Sequence, residues 1–290
     1  MVTASDCTSH SCDQGPTVRE VPCKSALVKS GICDYALNCY TGCQHACRYC
    51  YARFMGRFHH PDQPWGSFVD VKLNAPEVLT RQLRRRRTYP GSVFVSSVCD
   101  GWQPLESRYR LTRSCLGPLL EHGFELHILT KSSLARRDLD LLTGCPRVLL
   151  GVTVTTLDEH LRRQLEPHAS PAADRIALLR EAARRHIRIY AFFGPLLPGL
   201  TDTTANIDKL FAAVADLPLS HIYVDRLNRR WGVWPSLKQW LGTYRPDLLP
   251  AIRNALFDTT ASHQYEQRLR QRIRRTAARF GLASKLRGLC

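Results

Sequence analysis

The sequence predicts an α/β protein built as a partial (β/α)6 TIM-like barrel of parallel strands with a helical C-terminal extension. Short apolar runs alternate along the chain with helix-like stretches. Such alternation is typical of parallel strands joined by right-handed crossovers. Polar residues follow several of the runs, at the strand ends where parallel barrels place their functional sites.

Six apolar runs, rich in β-branched or aromatic residues, are the predicted strands. They cover residues 36–40, 93–97, 126–130, 148–154, 187–193 and 222–225. Each is short and continuous, as expected for a strand buried on both faces. The polar or special residues at the strand ends are Asp100, Thr130, Lys131, Thr155, Pro195 and Asn228. We therefore expect the site at this end of the barrel.

The predicted crossover helices cover residues 76–87, 110–122, 134–142, 171–185 and 203–217. Several begin with Pro, Asp or Thr, which are common helix-start residues. After Trp240 the pattern becomes helical, and the last helix is expected over residues 261–280. Ordered structure should begin near Val21. We therefore divide the chain into a poorly ordered, Cys-containing segment (1–20), a barrel (21–235) and a basic helical extension (236–290).

The composition predicts a cytoplasmic protein with reduced cysteines. No apolar run approaches the ~20 residues that a membrane-spanning helix needs. The N-terminus has neither the charged nor the apolar region of a signal peptide. Because the cytosol is reducing, disulfides explain the twelve cysteines poorly.

The net charge of +16 makes polyanions candidate ligands. Residues 265–290 carry eight Lys or Arg against one Glu, and Arg268, Arg272, Arg275 and Arg279 form a stripe on the last helix. This basic helix could follow a nucleic-acid backbone, with Trp231, Trp234 and Trp240 as stacking surfaces. The alternative is a basic face that is simply solvated.

The segment GCQHACRYCYARFM carries Cys43, Cys47 and Cys50 in a short loop after a strand. Three thiolates can hold a [4Fe-4S] cluster and leave one of its four irons open to a further ligand. The alternative is a zinc site whose fourth ligand is His45 or another cysteine.

Other cysteines precede this loop, namely Cys7, Cys12, Cys23, Cys33 and Cys39. They could ligate an auxiliary iron-sulfur cluster, although their spacing matches no cluster pattern. The alternative is a set of free cytosolic thiols.

The C-x3-C-x2-C spacing, with an aromatic residue before the last cysteine, resembles the signature of the radical S-adenosylmethionine (SAM) superfamily. Further runs resemble its spore photoproduct lyase-like branch. These runs are CKSALVKSGICDYALNCYTGCQHACRYCYARFMGRF, WGSFVDVKLNAPEVL, VFVSSVCDGWQPLESRYRLTRSCL, ILTKSSLARRDLDLL, TTLDEHLRRQLEPHASPAADR, GPLLPGLTD and VDRLN. The resemblance implies a [4Fe-4S] cluster, SAM cleaved to methionine and a 5′-deoxyadenosyl radical, and an electron donor of the flavodoxin or ferredoxin type.

The resemblance also assigns roles to individual residues. It implies that Tyr49 packs near the SAM adenine and that Tyr49 and Tyr51 relay a hydrogen atom. Lys131 matches a lysine that pairs with the SAM carboxylate. Further positions near the cofactor are Thr153, Thr155, Thr156, Arg175, Gly194 and Asn228. For each of these the alternative is ordinary packing or a solvated side chain.

One departure from the lyase pattern bears on the reaction. The lyase proper has a hydrogen-donor cysteine three residues before an aspartate that corresponds to Asp100, and here that position is Ser97. We place Ser97 among the cofactor-binding residues. Cys99 stands next to Asp100 and could donate a hydrogen atom instead, or be a small buried hydrophobe.

The leading functional hypothesis is a radical SAM enzyme that abstracts hydrogen from a substrate over the barrel mouth, with a nucleobase in DNA or RNA as a candidate. The second makes the substrate a small metabolite or a peptide in a biosynthetic pathway. The third is a non-catalytic metal-cluster protein that binds nucleic acid.

Overall fold

The computed structural model describes residues 15–85 and 91–289, and its strands form one large and one small sheet. In chain order the strands are β1 (Thr17–Val21), β2 (Leu27–Lys29), β3 (Tyr35–Leu37), β4 (Tyr40–Thr41), β5 (Phe68–Lys72), β6 (Ser92–Val95), β7 (Glu125–Thr130), β8 (Val148–Val154), β9 (Arg188–Leu196), β10 (Leu219–Arg226) and β11 (Leu286–Leu289). The large sheet has the order β11-β10-β9-β8-β7-β6-β3-β2.

The helices connect these strands and cover the sheet. They are α1 (Gly56–His59), α2 (Ala75–Arg84), α3 (Glu106–Tyr109), α4 (Leu111–Glu121), α5 (Leu139–Leu142), α6 (Glu159–Leu165), α7 (Ala172–Arg184), α8 (Thr204–Ala212), α9 (Val233–Tyr244), α10 (Leu249–Phe257) and α11 (Thr259–Arg279). Short 3-10 helices span Tyr51–Met55, Ser133–Asp138, Pro246–Leu248 and Ala283–Lys285.

All six predicted parallel strands have a counterpart in the large sheet, although the first is shorter than predicted. From β3 through β6, β7, β8 and β9 to β10, each strand pairs in parallel with the next. All seven residues of β8 are buried, because the barrel interior covers one face and helices cover the other. The fold is therefore a partial barrel whose edge strands are β2 and β11.

Helices α4 and α7 lie where the sequence predicted them. Helices α2 and α8 begin as predicted but are shorter, since α2 ends at Arg84 and α8 at Ala212 rather than at residues 87 and 217. The stretch 134–142 differs, since it is a 3-10 helix followed by the single turn of α5. The hydroxyl of Ser132 accepts a hydrogen bond from the Leu134 amide at its start. The chain becomes extended at Thr143 and then takes a positive φ of 75° at Gly144, which ends the helix.

The small sheet, in the order β1-β5-β4, was not predicted. The expected strand over residues 36–40 is divided at Asn38: Tyr35–Leu37 joins the large sheet, and Tyr40–Thr41 pairs antiparallel with β5. The Asn38 carboxamide accepts the amide of Val98 at 3.0 Å, and the Asn38 carbonyl accepts Lys72 Nζ at 3.0 Å. These bonds direct the following loop over the barrel mouth.

The C-terminal extension contains the predicted helices and also β11, which pairs in parallel with β10. The extension therefore contributes a strand to the barrel sheet. At the other terminus, β1 begins at Thr17, before the start near Val21 that we expected, and residues 1–14 lie outside the described part of the chain. In residues 15–85 and 91–289, none of the helices combines the length and the apolar character needed to cross a membrane.

Candidate active site

The cysteine loop follows β4 and covers the carboxyl ends of the barrel strands. Gly42 opens it with a φ of 89°, and a Cβ atom at this position would overlap the carbonyl oxygen of Phe68. Cys43, Cys47 and Cys50 all line one cavity of about 100 Å³. The structure thus brings the three predicted metal ligands to one place.

Burial disfavours the thiolate form of these cysteines. It raises the pKa of Cys43 well above its ordinary value, that of Cys47 to about 12, and that of Cys50 as well. Because metals bind thiolates, any group held here must supply positive charge to offset this burial.

Lys131 lines the same cavity at the end of β7, as the sequence predicted. Its ammonium lies 5.7 Å from the centre of the Tyr49 ring. Burial alone would lower the pKa of Lys131, but the sulfur of Cys47 and the carboxylate of Glu166 raise it. The cavity therefore contains a fixed positive charge.

Asp100 fixes the backbone beside Lys131. Its carboxylate accepts the Lys131 amide at 2.8 Å and the Thr130 hydroxyl at 2.7 Å. His45 Nδ1 lies 3.4 Å from the same carboxylate, and burial lowers the pKa of His45 to about 4. His45 also lines the cavity and is neutral at pH 7.

Behind the cysteine loop lies a buried network around Glu166. Its carboxylate accepts hydrogen bonds from the Tyr49 hydroxyl and the Arg175 guanidinium. Burial alone would raise the pKa of Glu166, but Arg175 and Lys131 lower it to about 2. Arg175 is fully buried and also donates to the carbonyl oxygens of Ser170 and Thr153 at 2.8 and 2.9 Å. This network holds Tyr49 and anchors the loop to β8 and α7.

The other predicted cofactor-binding residues lie at varying distances from the cysteine cavity. Thr153 lines it, whereas Thr155 lies behind it, 3.0 Å from the Tyr49 hydroxyl, and donates to the Gly194 carbonyl at 2.9 Å. Gly194 must lack a side chain, because a Cβ atom there would lie 2.9 Å from the carbonyl oxygen of Asp225. Thr156 is bound to Asn206 of α8 at 2.9 Å.

Asn228 lines a second, larger cavity of about 510 Å³ between the end of β10 and the start of α11. Its side-chain oxygen accepts the Arg230 amide at 3.1 Å. Asp225, His263 and Glu266 line the same cavity. The structure therefore does not bring Asn228 to the lining of the cysteine cavity.

Asn38 organises the remaining predicted residues. Its carboxamide lies 3.8 Å from the Cys99 sulfur and donates to the Ser97 hydroxyl at 3.2 Å. The Tyr51 hydroxyl donates to the Ser97 carbonyl at 2.5 Å. Tyr51 and Cys99 both line the cysteine cavity, and burial raises the pKa of Cys99 to about 12, so this group is a thiol at neutral pH.

Sequence reasoning missed Glu166 and Asn38, and it considered His45 only as the fourth ligand of a zinc site. A buried arginine requires an acidic partner, and this rule would have indicated Glu166 had the burial of Arg175 been known. The sequence does not reveal that burial, since arginines are usually exposed.

Three of the five cysteines that precede the cysteine loop lie within the described residues. Cys39 is buried with its sulfur 3.8 Å from that of Cys115, Cys23 and Cys33 are half-buried, and Cys7 and Cys12 lie outside the described residues.

On α11, Arg272 lies 3.6 Å from Asp202 and Arg279 pairs with Asp208, whereas Arg268 and Arg275 are exposed. The predicted stripe is therefore partly neutralised by acids of the barrel.

Comparison with known proteins identifies the family. The model of the radical SAM superfamily matches residues 37–211. An uncharacterized protein of Methanocaldococcus jannaschii is 37% identical over 168 residues, which cover 58% of this chain and 62% of that protein. An uncharacterized protein of Mycobacterium tuberculosis is 31% identical over 280 residues, or 93% of this chain and 82% of the relative.

The fold has a similar counterpart among solved structures. Spore photoproduct lyase complexed with dinucleoside spore photoproduct matches 92% of this chain and 80% of the lyase chain, with a TM-score of 0.69 and 14% identity. The family match covers more than half of the chain and includes the cysteine loop at the barrel mouth, and it shows that the chain belongs to the radical SAM superfamily.

Proposed function

We propose that this radical SAM enzyme holds a [4Fe-4S] cluster on Cys43, Cys47 and Cys50 and acts on a nucleobase in DNA or RNA. The observation that carries the cluster assignment is the cavity at the barrel mouth, which the three thiols share with Lys131. When bound, the cluster supplies the electron that cleaves SAM to methionine and a 5′-deoxyadenosyl radical.

The donor set fits such a cluster. Within the described ranges, no three His, Cys, Asp or Glu side chains converge tightly enough to hold a single metal ion. A cubane has a different requirement, because each thiolate bonds a different iron atom and the sulfurs stand around the cube. Three cysteines around one cavity match this requirement and would leave one iron without a cysteine ligand.

The chain's own charges would orient SAM. The ammonium of the half-buried Lys131 is suited to pair with the SAM carboxylate, because a hydrogen bond between two charged groups is stronger than one between neutral groups. The Arg175–Glu166 pair would hold Tyr49 in place, and the Thr155–Gly194 bond would fix the adjoining backbone. Of the two candidate relay tyrosines, Tyr51 has the better position, since it lines the cavity and Tyr49 does not.

Two observations support a nucleic-acid substrate. The net charge of +16 favours polyanions. The spore photoproduct lyase chain with the similar fold is complexed with a dinucleoside photoproduct. A flavodoxin or ferredoxin is the proposed electron donor.

We expect oligonucleotides to stimulate SAM cleavage by the native protein. The measurement is formation of 5′-deoxyadenosine after anaerobic incubation of reconstituted protein with SAM, dithionite and single-stranded DNA or RNA. Deuterium transfer from labelled oligonucleotide into 5′-deoxyadenosine would identify the base as the substrate. If 5′-deoxyadenosine forms at the same rate with and without oligonucleotide and never contains deuterium, a small metabolite or peptide is the better substrate class.

Cys99→Ala is expected to leave SAM cleavage intact but to change the product. A cavity-lining thiol can give its hydrogen atom to a substrate radical and become a thiyl radical, which then regains a hydrogen atom from the Tyr51 hydroxyl. One electron from the proposed flavodoxin or ferredoxin and a proton from solvent would then restore Tyr51. Mass spectrometry of the oligonucleotide after one turnover measures the product. Cys145→Ala, which removes a half-buried thiol outside the cavity, is the matched control. An unchanged product in Cys99→Ala would show that this thiol takes no part.

A further inference from the structure

An exposed row of aromatic rings and arginines adjoins the cysteine cavity. It comprises Phe54, Arg57 and Phe58, which follow the cysteine loop, and Arg230 and Trp231, which follow β10; we call it the aromatic–arginine ridge. The side chain of Phe58 is 62% exposed and that of Trp231 55% exposed. Large aromatic side chains this exposed are suited to contact a partner.

The ridge is formed by two segments that are distant in sequence but packed together. The Arg57 guanidinium lies 4.5 Å from the centre of the Phe58 ring and 5.9 Å from that of Trp231. Arg230 lies 5.7 Å from the ring of Phe54. At Gly232, whose φ is 78°, a Cβ atom would come within 2.9 Å of the Arg53 side chain. The two segments are therefore in direct contact at this glycine.

The charges of the ridge are available to a ligand. In the part of the chain that the structure describes, neither Arg57 nor Arg230 forms an ion pair with a carboxylate. Arg272 and Arg279 of α11 differ, because they face Asp202 and Asp208. The ridge therefore combines free cations with stacking surfaces, whereas α11 offers partly neutralised cations.

The ridge also leads into the candidate active site. Tyr51 is 39% exposed and lines the cysteine cavity. Tyr51 and Phe54 belong to the same 3-10 helix, Tyr51–Met55, so the ridge and the cavity lining share one short element. A base stacked on the ridge would thus lie next to an aromatic residue that reaches the cavity.

We propose that the aromatic–arginine ridge binds an unpaired stretch of nucleic acid and presents one base to the cavity beside Tyr51. Stacking requires exposed base faces, which a duplex hides within its stack, while arginines pair with the phosphates of the backbone. The inference rests on the proposed nucleic-acid substrate. It adds that the bound nucleic acid is single-stranded and that the ridge is the surface that binds it.

The test uses the full-length native protein and an oligothymidylate of about 12 nucleotides, within the usual site size of single-strand binders. We expect anisotropy of the labelled strand to give saturable binding and the duplex of the same length to bind more weakly. Tryptophan fluorescence should be quenched on binding. Trp231 is the most exposed tryptophan, since Trp65, Trp102 and Trp240 are buried and Trp234 is half-buried.

Two variants separate stacking from charge. Phe58→Ala with Trp231→Ala should weaken single-strand binding by at least about tenfold and abolish most of the quenching. Arg57→Ala with Arg230→Ala should lower the dependence of log affinity on log salt by about 1.4, since each phosphate contact to a single strand contributes about 0.7. The matched control is Arg184→Ala with Arg188→Ala, which removes the same charge from the opposite end of the barrel and should retain native binding.

Three results would overturn the inference. The first is duplex binding as tight as single-strand binding. The second is native affinity in both ridge variants together with a loss of binding in Arg268→Ala with Arg275→Ala, which would assign the contact to α11. The third is displacement of the strand by an acidic peptide of equal charge at equal concentration. Failure of the proposed function would be distinct, because native protein would then bind the strand without any strand-dependent formation of 5′-deoxyadenosine.

Discussion

Cys50→Ala is expected to reduce formation of 5′-deoxyadenosine to the level of a protein-free control. With two thiolates in place of three, the cavity cannot hold the cluster whose open iron would bind SAM. The measurement is 5′-deoxyadenosine produced under anaerobic conditions with dithionite, together with the iron and sulfide content of the purified variant. Both quantities should fall.

Two further variants test whether the loss is specific to Cys50 as a cluster ligand. Cys145→Ala removes a thiol outside the cavity and should retain iron and activity. Cys99 also lines the cavity and could replace a missing ligand, so the double variant with Cys50→Ala and Cys99→Ala removes that route. Full activity in the double variant would exclude Cys50 as a ligand.

Glu166→Gln is expected to destabilise the fold strongly, because it leaves the Arg175 guanidinium buried without its carboxylate. Breaking a buried ion pair from one side typically costs about 3–5 kcal/mol, which corresponds to a fall in Tm of roughly 10 °C for a chain of this size. The folded-state pKa of Glu166 is about 2, below its ordinary value. The stability that it contributes is therefore fully present at pH 7, declines as the pH falls below the ordinary glutamate pKa of 4.5, and is gone below about 2.

The comparison variant is Asp216→Asn, which removes the carboxylate partner of Arg180 from an exposed ion pair. Exposed ion pairs contribute about 0–1 kcal/mol to the free energy of unfolding, so the Tm of Asp216→Asn should stay close to that of the native protein. The double variant Glu166→Leu with Arg175→Met removes both charges of the buried pair, so it should be more stable than Glu166→Gln. It should not reach the stability of the native protein, because the Ser170 and Thr153 carbonyls lose the hydrogen bonds that Arg175 donates. The measurement is the Tm of the native protein and of the three variants, taken from thermal unfolding followed by circular dichroism. Equal Tm values for Glu166→Gln and Asp216→Asn would contradict this account.

The large sheet could be predicted from the sequence because its strands carry a strong local signal. β8 and β9 are nearly continuous apolar runs, as is typical of parallel strands covered on both faces. The small sheet has no such signal. β1 is largely exposed and includes Arg19 and Glu20, and β5 includes Asp70. Their pairing is recognisable only in three dimensions, where Arg19 contacts Asp70 at 2.9 Å.

β11 was missed for a similar reason. Its sequence LRGL is only four residues long and includes a glycine, which weakens a strand, and it is positioned by its pairing with β10. At the site, the cysteine loop was predictable because its three ligands are close in sequence. Glu166 and Arg175 contact each other across the turn between α6 and α7, and their burial depends on the whole barrel.

The central claim is that three cysteines hold a cluster with one iron open to SAM. The most direct measurement is the electron paramagnetic resonance spectrum of anaerobically purified, dithionite-reduced protein before and after addition of SAM. We predict a reduced [4Fe-4S] signal that changes when SAM is added and is missing from Cys50→Ala. A colourless protein that contains zinc, or a cluster signal that SAM leaves unchanged, would contradict the claim.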